Sequence, residues 1–312
     1  TMAADDWDGW GDGGSKRIAT LHADDTLTGE RLATVNGLRG DHEVSKLLEC
    51  VARQAGLPCK PRLLYNGTAL KPWDKLEDVG LTDAAEIKAE TFQALVTASH
   101  DGTAKIWNID VGECEMTLHG HSGKVLAALF SPNSRLVATC SEDHTAKLWS
   151  VVTGNCERTM EHSDVVYSVS FSQDGKFLVT ASEDKTAKVW IVKTGDCRAT
   201  MRGHSAAVYS AHFTPDGTSV ITASRDGTTK IWNPKTGICD RTLEEQETVY
   251  AGSFSPDGLS LATTPGDCTA TILSVETGKR QLTLLGHTDL VMTADYARQR
   301  DPPLDKTVLP SK

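Results

Sequence analysis

A ten-residue motif that returns at near-constant spacing constrains this 312-residue chain more than any other feature. It reads ASHDGTAKIW at 98–107, CSEDHTAKLW at 140–149, ASEDKTAKVW at 181–190 and ASRDGTTKIW at 223–232. The closing tryptophans Trp107, Trp149, Trp190 and Trp232 are 42, 41 and 42 residues apart. A fifth copy, TPGDCTATIL at 264–273, keeps Asp267 but has Pro265 for the serine and Leu273 for the tryptophan. Each copy alternates apolar and polar residues at period two. Turn sequences such as Pro215-Asp216-Gly217 and Pro256-Asp257-Gly258 separate the runs. Such a pattern predicts short antiparallel strands joined by tight turns.

A longer spacing recurs with the motif. His121, His162 and His204 each precede an aspartate (Asp143, Asp184, Asp226) by 22 residues, and each aspartate precedes its tryptophan by six. With this pattern the segment after residue 91 resembles the WD-repeat family, in which each repeat of about 40–45 residues forms the four strands of one propeller blade. The resemblance implies one hydrogen-bonded tetrad per blade: His121-Ser141-Asp143-Trp149, His162-Ser182-Asp184-Trp190 and His204-Ser224-Asp226-Trp232. Ser, His and Asp together invite a hydrolase reading. A nucleophile, however, needs one singular site with an oxyanion hole, whereas this set occurs once per repeat. The tetrads are therefore expected to satisfy buried polar groups. No catalytic residue is assigned and the chain is read as a non-enzyme.

The first repeat begins near Thr91, with Ser99, Asp101 and Trp107 but no preceding Gly-His. Gly286-His287 followed by LVMTADY (290–296) has the pattern of an innermost strand. The expectation is that 286–297 completes the first blade, with His287 joining Ser99, Asp101 and Trp107 in a ring of about five blades. Closure in that way would remove exposed sheet edges. Propellers of this family usually have seven blades, so a piece of a larger ring and closure by a second chain stay open as alternatives.

Before the repeats, Val44, Leu47, Leu48 and Val51 lie at i, i+3, i+4 and i+7, which predicts a helix with one apolar face. Asp41 is its candidate N-cap and Gly56-Leu57-Pro58 its stop. IATLHAD (18–24) and ERLATV (30–35) read as a hairpin; RLLYNGTAL (62–70), LEDVGL (76–81) and AEIKAE (85–90) follow the helix. That order, with Arg62, Leu63, Leu64, Tyr65, Gly67, Leu70, Leu76, Asp78, Leu81 and Ile87 in matching places, resembles ubiquitin. The fold expected overall is thus mixed: an all-β propeller preceded by a small α+β β-grasp domain. The boundaries are 1–16 for a disordered acidic tail, 17–90 for the ubiquitin-like domain, 91–297 for the propeller and 298–312 for an irregular tail. The chain continues through Thr91, so conjugation of a Gly-Gly tail is not expected. The strand face around Arg62 and Leu64 either binds ubiquitin-pathway components or packs on the propeller.

Charge narrows the partners. The chain carries 32 basic and 42 acidic residues, a net charge of -10, and 11 and 16 of these precede residue 91. Neither part has the basic field that binding a phosphate backbone needs, so nucleic acid is not expected. No apolar run approaches the ~20 residues of a membrane helix. The acidic start does not read as a secretory leader, and cytoplasm or nucleus is the expected location. Of eight cysteines, Cys114, Cys156, Cys197 and Cys239 recur once per repeat, too far apart to bridge, and all eight are read as reduced, mostly buried thiols. No CxxC pair occurs, and His119 with His121 lacks a third ligand, so neither metal nor cofactor is expected. The segment GWGDGGSK (9–16) only approximates a phosphate loop, and Asn66-Gly67-Thr68 reads as a tight turn.

Partner proteins are the expected ligands. Five residues after each repeat histidine, or its equivalent Glu245, stand Leu126, Tyr167, Tyr209, Tyr250 and Met292. Val125, Val166, Val208, Val249 and Val291, with the aromatics five residues after each, already supply the core of this strand. The tyrosines are therefore read as rim residues, or else as filling for a narrow channel. The family resemblance adds the residue three after the histidine (Lys124, Val165, Ala207, Thr248, Leu290) and the one before the aspartate (His100, Glu142, Glu183, Arg225, Gly266). The expected function is a scaffold presenting partners on this rim. The alternatives are a ubiquitin- or proteasome-pathway adaptor and a regulatory domain of an enzyme.

Overall fold

The computed structural model describes residues 17–25, 31–39, 42–55, 62–66, 68–70, 74–81, 85–90, 93–245 and 247–296. The N-terminal part is a mixed sheet beside a helix. Strands β1 (Arg17–Asp25) and β2 (Arg31–Arg39) form a hairpin, α1 spans Val44–Ala55, and β3 (Arg62–Tyr65), β4 (Thr68–Ala69) and β5 (Ala85–Glu90) follow. The strand order is β2-β1-β5-β3-β4, with β1 and β5 parallel at the centre. The apolar face anticipated on the helix is buried: Val44, Leu47, Leu48 and Val51 pack with Leu21, Leu63, Leu76 and Ile87. Residues 76–80 form a turn, pinned by the Leu76 N–H donating to the His42 carbonyl. The candidate cap Asp41, the stop at 56–58 and the tails 1–16 and 298–312 lie outside the described residues.

From residue 94 the chain repeats one antiparallel sheet. The first has three strands, β6 (Ala94–Ala98), β7 (Ala104–Asn108) and β8 (Glu113–Leu118). The second has four, β9 (Val125–Phe130), β10 (Leu136–Ser141), β11 (Thr145–Ser150) and β12 (Cys156–Glu161). The third is β13 (Val166–Phe171), β14 (Phe177–Ser182), β15 (Thr186–Ile191) and β16 (Cys197–Arg202). The fourth is β17 (Val208–Phe213), β18 (Val220–Ser224), β19 (Thr228–Trp232) and β20 (Cys239–Glu244). The fifth is β21 (Val249–Phe254), β22 (Ser260–Pro265), β23 (Ala270–Ser274) and β24 (Arg280–Leu284). Within each sheet the strands pair in chain order.

The apolar cores lie between consecutive sheets, as stacking of incomplete units requires. One core joins Leu148 and Met160 of the second sheet to Val166, Leu178 and Trp190 of the third. The next joins Val179, Val189 and Met201 to Val208, Val220 and Trp232. Each fully buried Leu or Val contributes roughly 1.5–3 kcal/mol, so the stack is held mainly by these seams.

Two expectations need correction here. Residues 285–296 carry no strand, the first sheet stays three-stranded, and its β6 edge leaves Leu95 51% exposed. His287 is exposed and makes no hydrogen bond to Ser99, Asp101 or Trp107. The segment instead follows directly from β24 and stays beside the fifth sheet, where the Ser253 hydroxyl donates to Asp295 Oδ1 at 2.8 Å. The second correction concerns the thiols. Of the seven described cysteines, all free, only Cys140 is buried, while Cys114, Cys156 and Cys197 are exposed and Cys239 half-buried. These four lie at the first or second residue of the outermost strands, which have no further strand to cover them.

Candidate protein-interaction site

The rim is built on a hydrogen-bonded frame that the second, third and fourth repeats share. In the second, Trp149 Nε1–H donates to Thr139 Oγ1 at 2.8 Å, and Thr139 Oγ1 lies 2.7 Å from His121 Nε2. His121 Nδ1 lies 2.8 Å from Asp143 Oδ2, which also accepts the Ser122 N–H. Trp190, Thr180, His162 and Asp184 repeat the chain, as do Trp232, Thr222, His204 and Asp226. The hydroxyl joining tryptophan to histidine is therefore a threonine, not the serine expected two residues later. Ser141, Ser182 and Ser224 accept the backbone N–H of Asp143, Asp184 and Asp226 instead, closing the turn. Along a strand, residues two apart share a face, so both hydroxyls point the same way and only the inner one reaches the indole.

One tautomer satisfies every group. A neutral histidine donates from Nδ1 to the carboxylate and accepts the threonine O–H at Nε2, leaving Thr Oγ1 to accept from the indole. Burial, opposed by the facing aspartates, moves all three histidines below their ordinary pKa. Burial would raise the aspartates, but it is outweighed by hydrogen bonds from Thr145, His121 and Ser122 on Asp143 and from Thr228, Ser205 and His204 on Asp226. Both carboxyls end at about 2. Asp184 is lowered in the same sense. With each hydroxyl and ring nitrogen committed, these sets brace the loop before the inner strand against the turn after the second strand.

The outer repeats depart from this frame. In the first, Trp107 Nε1–H donates to Thr97 Oγ1 at 2.8 Å and Asp101 Oδ1 accepts from Thr103, but no histidine is present and the site is exposed. In the fifth, Glu245 is buried at the histidine position. It accepts from Thr263 Oγ1 at 3.0 Å and pairs with Arg280 at 3.2 Å. A carboxylate thus replaces the ring, with its second partner on the outermost strand. Residue spacing alone could not locate Arg280, 35 residues away.

Above this frame three tyrosines form a row along successive inner strands. Tyr167 and Tyr209 meet edge to face with ring centroids 5.2 Å apart; Tyr209 and Tyr250 stack at 5.5 Å with planes 10° apart. Tyr167 Oη donates to Glu183 Oε2 at 2.8 Å. Burial, then the Glu183 carboxylate, raises the Tyr167 phenol; burial also raises Tyr209, against the opposing effect of Arg225. The other two rim positions meet through the backbone, since the N–H of Glu142, Glu183 and Arg225 donates to the carbonyl of Lys124, Val165 and Ala207. Lys124 and Glu142 also form an exposed ion pair at 2.9 Å. His100 is exposed, and Leu290 and Met292 lie on the exposed strandless segment. Leu126 does not join the row; it packs half-buried against the core beneath. Leu64 is half-buried on β3, where Arg62 opens the strand. Among the described residues no cluster of His, Cys, Asp and Glu could hold a metal, and no helix is long and apolar enough to cross a membrane.

The family model for the WD domain, G-beta repeat, matches residues 88–108, 112–150, 154–190 and 195–233, so the chain carries WD40 repeats. It is similar to the human WD repeat-containing protein 86, 47% identical over 55 residues, which cover 18% of this chain and 13% of that protein. It is also similar to WD repeat-containing protein pop2 of Schizosaccharomyces pombe, 28% identical over 81 residues, covering 24% and 12%. The matched stretches span a small fraction of either relative's length. WD-repeat proteins generally act as non-enzymatic protein-interaction scaffolds.

Proposed function

We propose that this chain is a protein-interaction scaffold whose repeats act as propeller blades and whose partners bind the rim around Tyr167, Tyr209 and Tyr250. The observation that carries the reading is the tyrosine row. Three large rings, in contact edge to face and stacked, are only half-buried and sit above the hydrogen-bonded frame. Tyrosine offers large contact area at low entropic cost, and such anchors typically lose ~2 kcal/mol or more of binding on truncation. Glu142, Glu183, Arg225, Lys124 and His100 would supply the polar border. Tyr167→Ala combined with Tyr209→Ala tests it: partner capture should fail while the melting temperature stays within a few degrees. A collapse of the fold would mean that the rings are packing only.

A second reading has a specific observation behind it. The N-terminal sheet order, with parallel first and last strands at its centre and a helix across one face, suits a ubiquitin-like module. On this reading the chain bridges a rim-bound substrate to ubiquitin-pathway or proteasome components through Arg62 and Leu64, in the cytoplasm or nucleus. Leu64→Ala should then abolish capture by isolated proteasome subunits without touching rim binding.

A further inference from the structure

The first sheet lacks what the segment after β24 carries. The second strands β10, β14, β18 and β22 are buried along almost their whole length, whereas β6, with no inner strand beside it, exposes Leu95, Thr97 and Ala98. Its polar frame is open at the same place. Trp107 already donates to Thr97 Oγ1 and Asp101 Oδ1 accepts from Thr103, but among the described residues Asp101 Oδ2 has no hydrogen-bond partner. In the second to fourth repeats the equivalent oxygen is held by a histidine from the loop before the inner strand.

Residues 285–296 are the counterpart. Gly286 has a φ of 140°, close to the 142° of Gly120 and the 148° of Gly203, the left-handed backbone that leads into β9 and β17. A Cβ on Gly120 would stand 3.2 Å from the Trp149 ring and one on Gly203 3.3 Å from the Trp232 ring, whereas a Cβ on Gly286 would meet nothing within 4 Å. The loop thus has the conformation that precedes an inner strand but no indole to close on. The segment also sits where such a strand belongs. Ser253 donates to Asp295, 42 residues on, much as β21 is joined to β17 by the Gly252 N–H donating to Ser210 Oγ, 42 residues back. Leu290 and Met292 stay 43% and 58% exposed, with no second strand beside them.

We infer that residues 286–296 of one copy of this chain pair with β6 of a second copy, so that one frame is assembled from two chains. The register of β9 on β10, carried over to the first sheet, sets Tyr296 opposite Leu95, Ala294 opposite Thr97 and Thr293 opposite Ala98. His287 then reaches Thr97 and Asp101, and Gly286 lies against Trp107. A second copy is the occupant because each half-site carries the groups that the other lacks. Within one chain they belong to the first and last sheets of the stack, and the segment is held on the last through Asp295. The contact is heterologous, since every copy offers a donor segment at one end and an acceptor edge at the other. Adding a strand to a free edge supplies main-chain hydrogen bonds and covers Leu95. The inference does not rest on the rim being a partner surface.

Sedimentation velocity with the full chain tests this. The chain should self-associate as its concentration rises. Ala294→Pro removes a backbone donor from a segment that forms no strand in the single chain, and Leu95→Lys puts a charge where Tyr296 of the other copy is to pack. Each variant should be a monomer with unchanged melting. Mixed, the two should form a 1:1 pair and nothing longer, because each keeps one sound end. His287→Ala, exposed in the single chain, should weaken association about tenfold. A labelled peptide of residues 285–297 should bind the Ala294→Pro chain, and the same peptide with Ala294→Pro should not. A chain that is monomeric at every concentration overturns the inference, and lower melting of that monomer on Ala294→Pro would show closure within one chain instead. Self-association that survives both variants, a mixture that fails to pair, or a peptide that does not bind overturns it equally.

Discussion

The third and fifth repeats have the same four-stranded pairing, yet their outermost strands and polar frames differ: Ala199 and Met201 are buried, whereas the equivalent Leu282 and Leu284 are exposed. In the third, Trp190, Thr180, His162 and Asp184 form one chain that ties the inner loop to the adjacent turn. In the fifth, Glu245 ties the inner loop to the outermost strand through Arg280, and among the described residues Asp267 bonds only to Thr269 in its own turn. Leu261 and Leu273 are nonetheless buried and Phe254 nearly so. Strand pairing and the inner seam therefore form without the histidine frame. The polar frame adds the coupling between loop and turn on the rim.

The largest effect should come from breaking the frame where it is deepest. Trp232 is fully buried, and Trp232→Ala removes its packing and its bond to Thr222 together. A loss of about 3–5 kcal/mol in chemical denaturation is expected. Leu273→Ala, at the equivalent place in the fifth repeat, removes less volume and no hydrogen bond, so its cost should be smaller. Equal costs would mean that the indole contributes no more than a leucine and that the frame is incidental.

The same bond occurs in two settings, which sharpens the comparison. Thr180→Val leaves the Trp190 N–H and the His162 ring nitrogen without partners in a buried site, and should cost about 2–3 kcal/mol. In the first repeat Thr97→Val breaks a bond of the same 2.8 Å length, but water can replace it at this exposed site. Its cost should stay under about 1 kcal/mol. Parallel denaturation curves for the two variants decide the point; similar losses would show that the first repeat is covered in solution by something that completes its frame.

These contrasts also mark what the sequence made legible. The 42-residue period located the strands, and His–Asp spacing located the braces, because both depend on local chain geometry. The role of Thr139, Thr180 and Thr222 was hidden because Ser141, Ser182 and Ser224 share their strand face and sit closer to the motif's aspartate. Gly286-His287 resembled the start of a closing strand, but a strand forms only where a free edge lies within reach. The segment instead remains at the fifth sheet through Ser253 and Asp295. Arg280 as the partner of Glu245 was invisible since it depends on which outer strand crosses the inner loop. The tyrosine row was legible in position, whereas its stacking geometry needed the blade-to-blade distance.

A smaller effect is expected from the substituted frame itself. Glu245→Gln keeps an acceptor for Thr263 but removes the charge that holds Arg280. Arg280 is about half exposed, so the pair is worth about 1 kcal/mol or less. Hydrogen exchange should show faster opening of β24 with little change in β13–β16. Uniform loosening across the repeats would mean that the fifth sheet is coupled to the others more tightly than its polar frame implies. In the unmodified chain, the same measurement should find the fifth sheet the least protected of the four-stranded sheets.

The most gradual contrast is with pH, and its sign follows from the shifts. His121, His162 and His204 titrate below their ordinary value of 6.5 because burial disfavours the charged ring more than the aspartates favour it. The unfolded chain therefore binds protons more readily as pH drops below 6.5. The contribution of the neutral rings is complete above that value and declines as pH falls toward their folded values. Asp143 and Asp226, held at about 2 against an ordinary 3.8, keep their contribution down to 3.8 and lose it between 3.8 and about 2. The fifth repeat has no histidine in its frame, so the first stage should reach it only through His212 of β17, which burial lowers against the opposing effect of Asp295 beside the fifth sheet. Hydrogen exchange at pH 7 and pH 5 should show protection falling in the second to fourth repeats while the fifth changes least. If the fifth falls with the others, acid sensitivity resides in the seams between sheets, and the histidine braces are not its source.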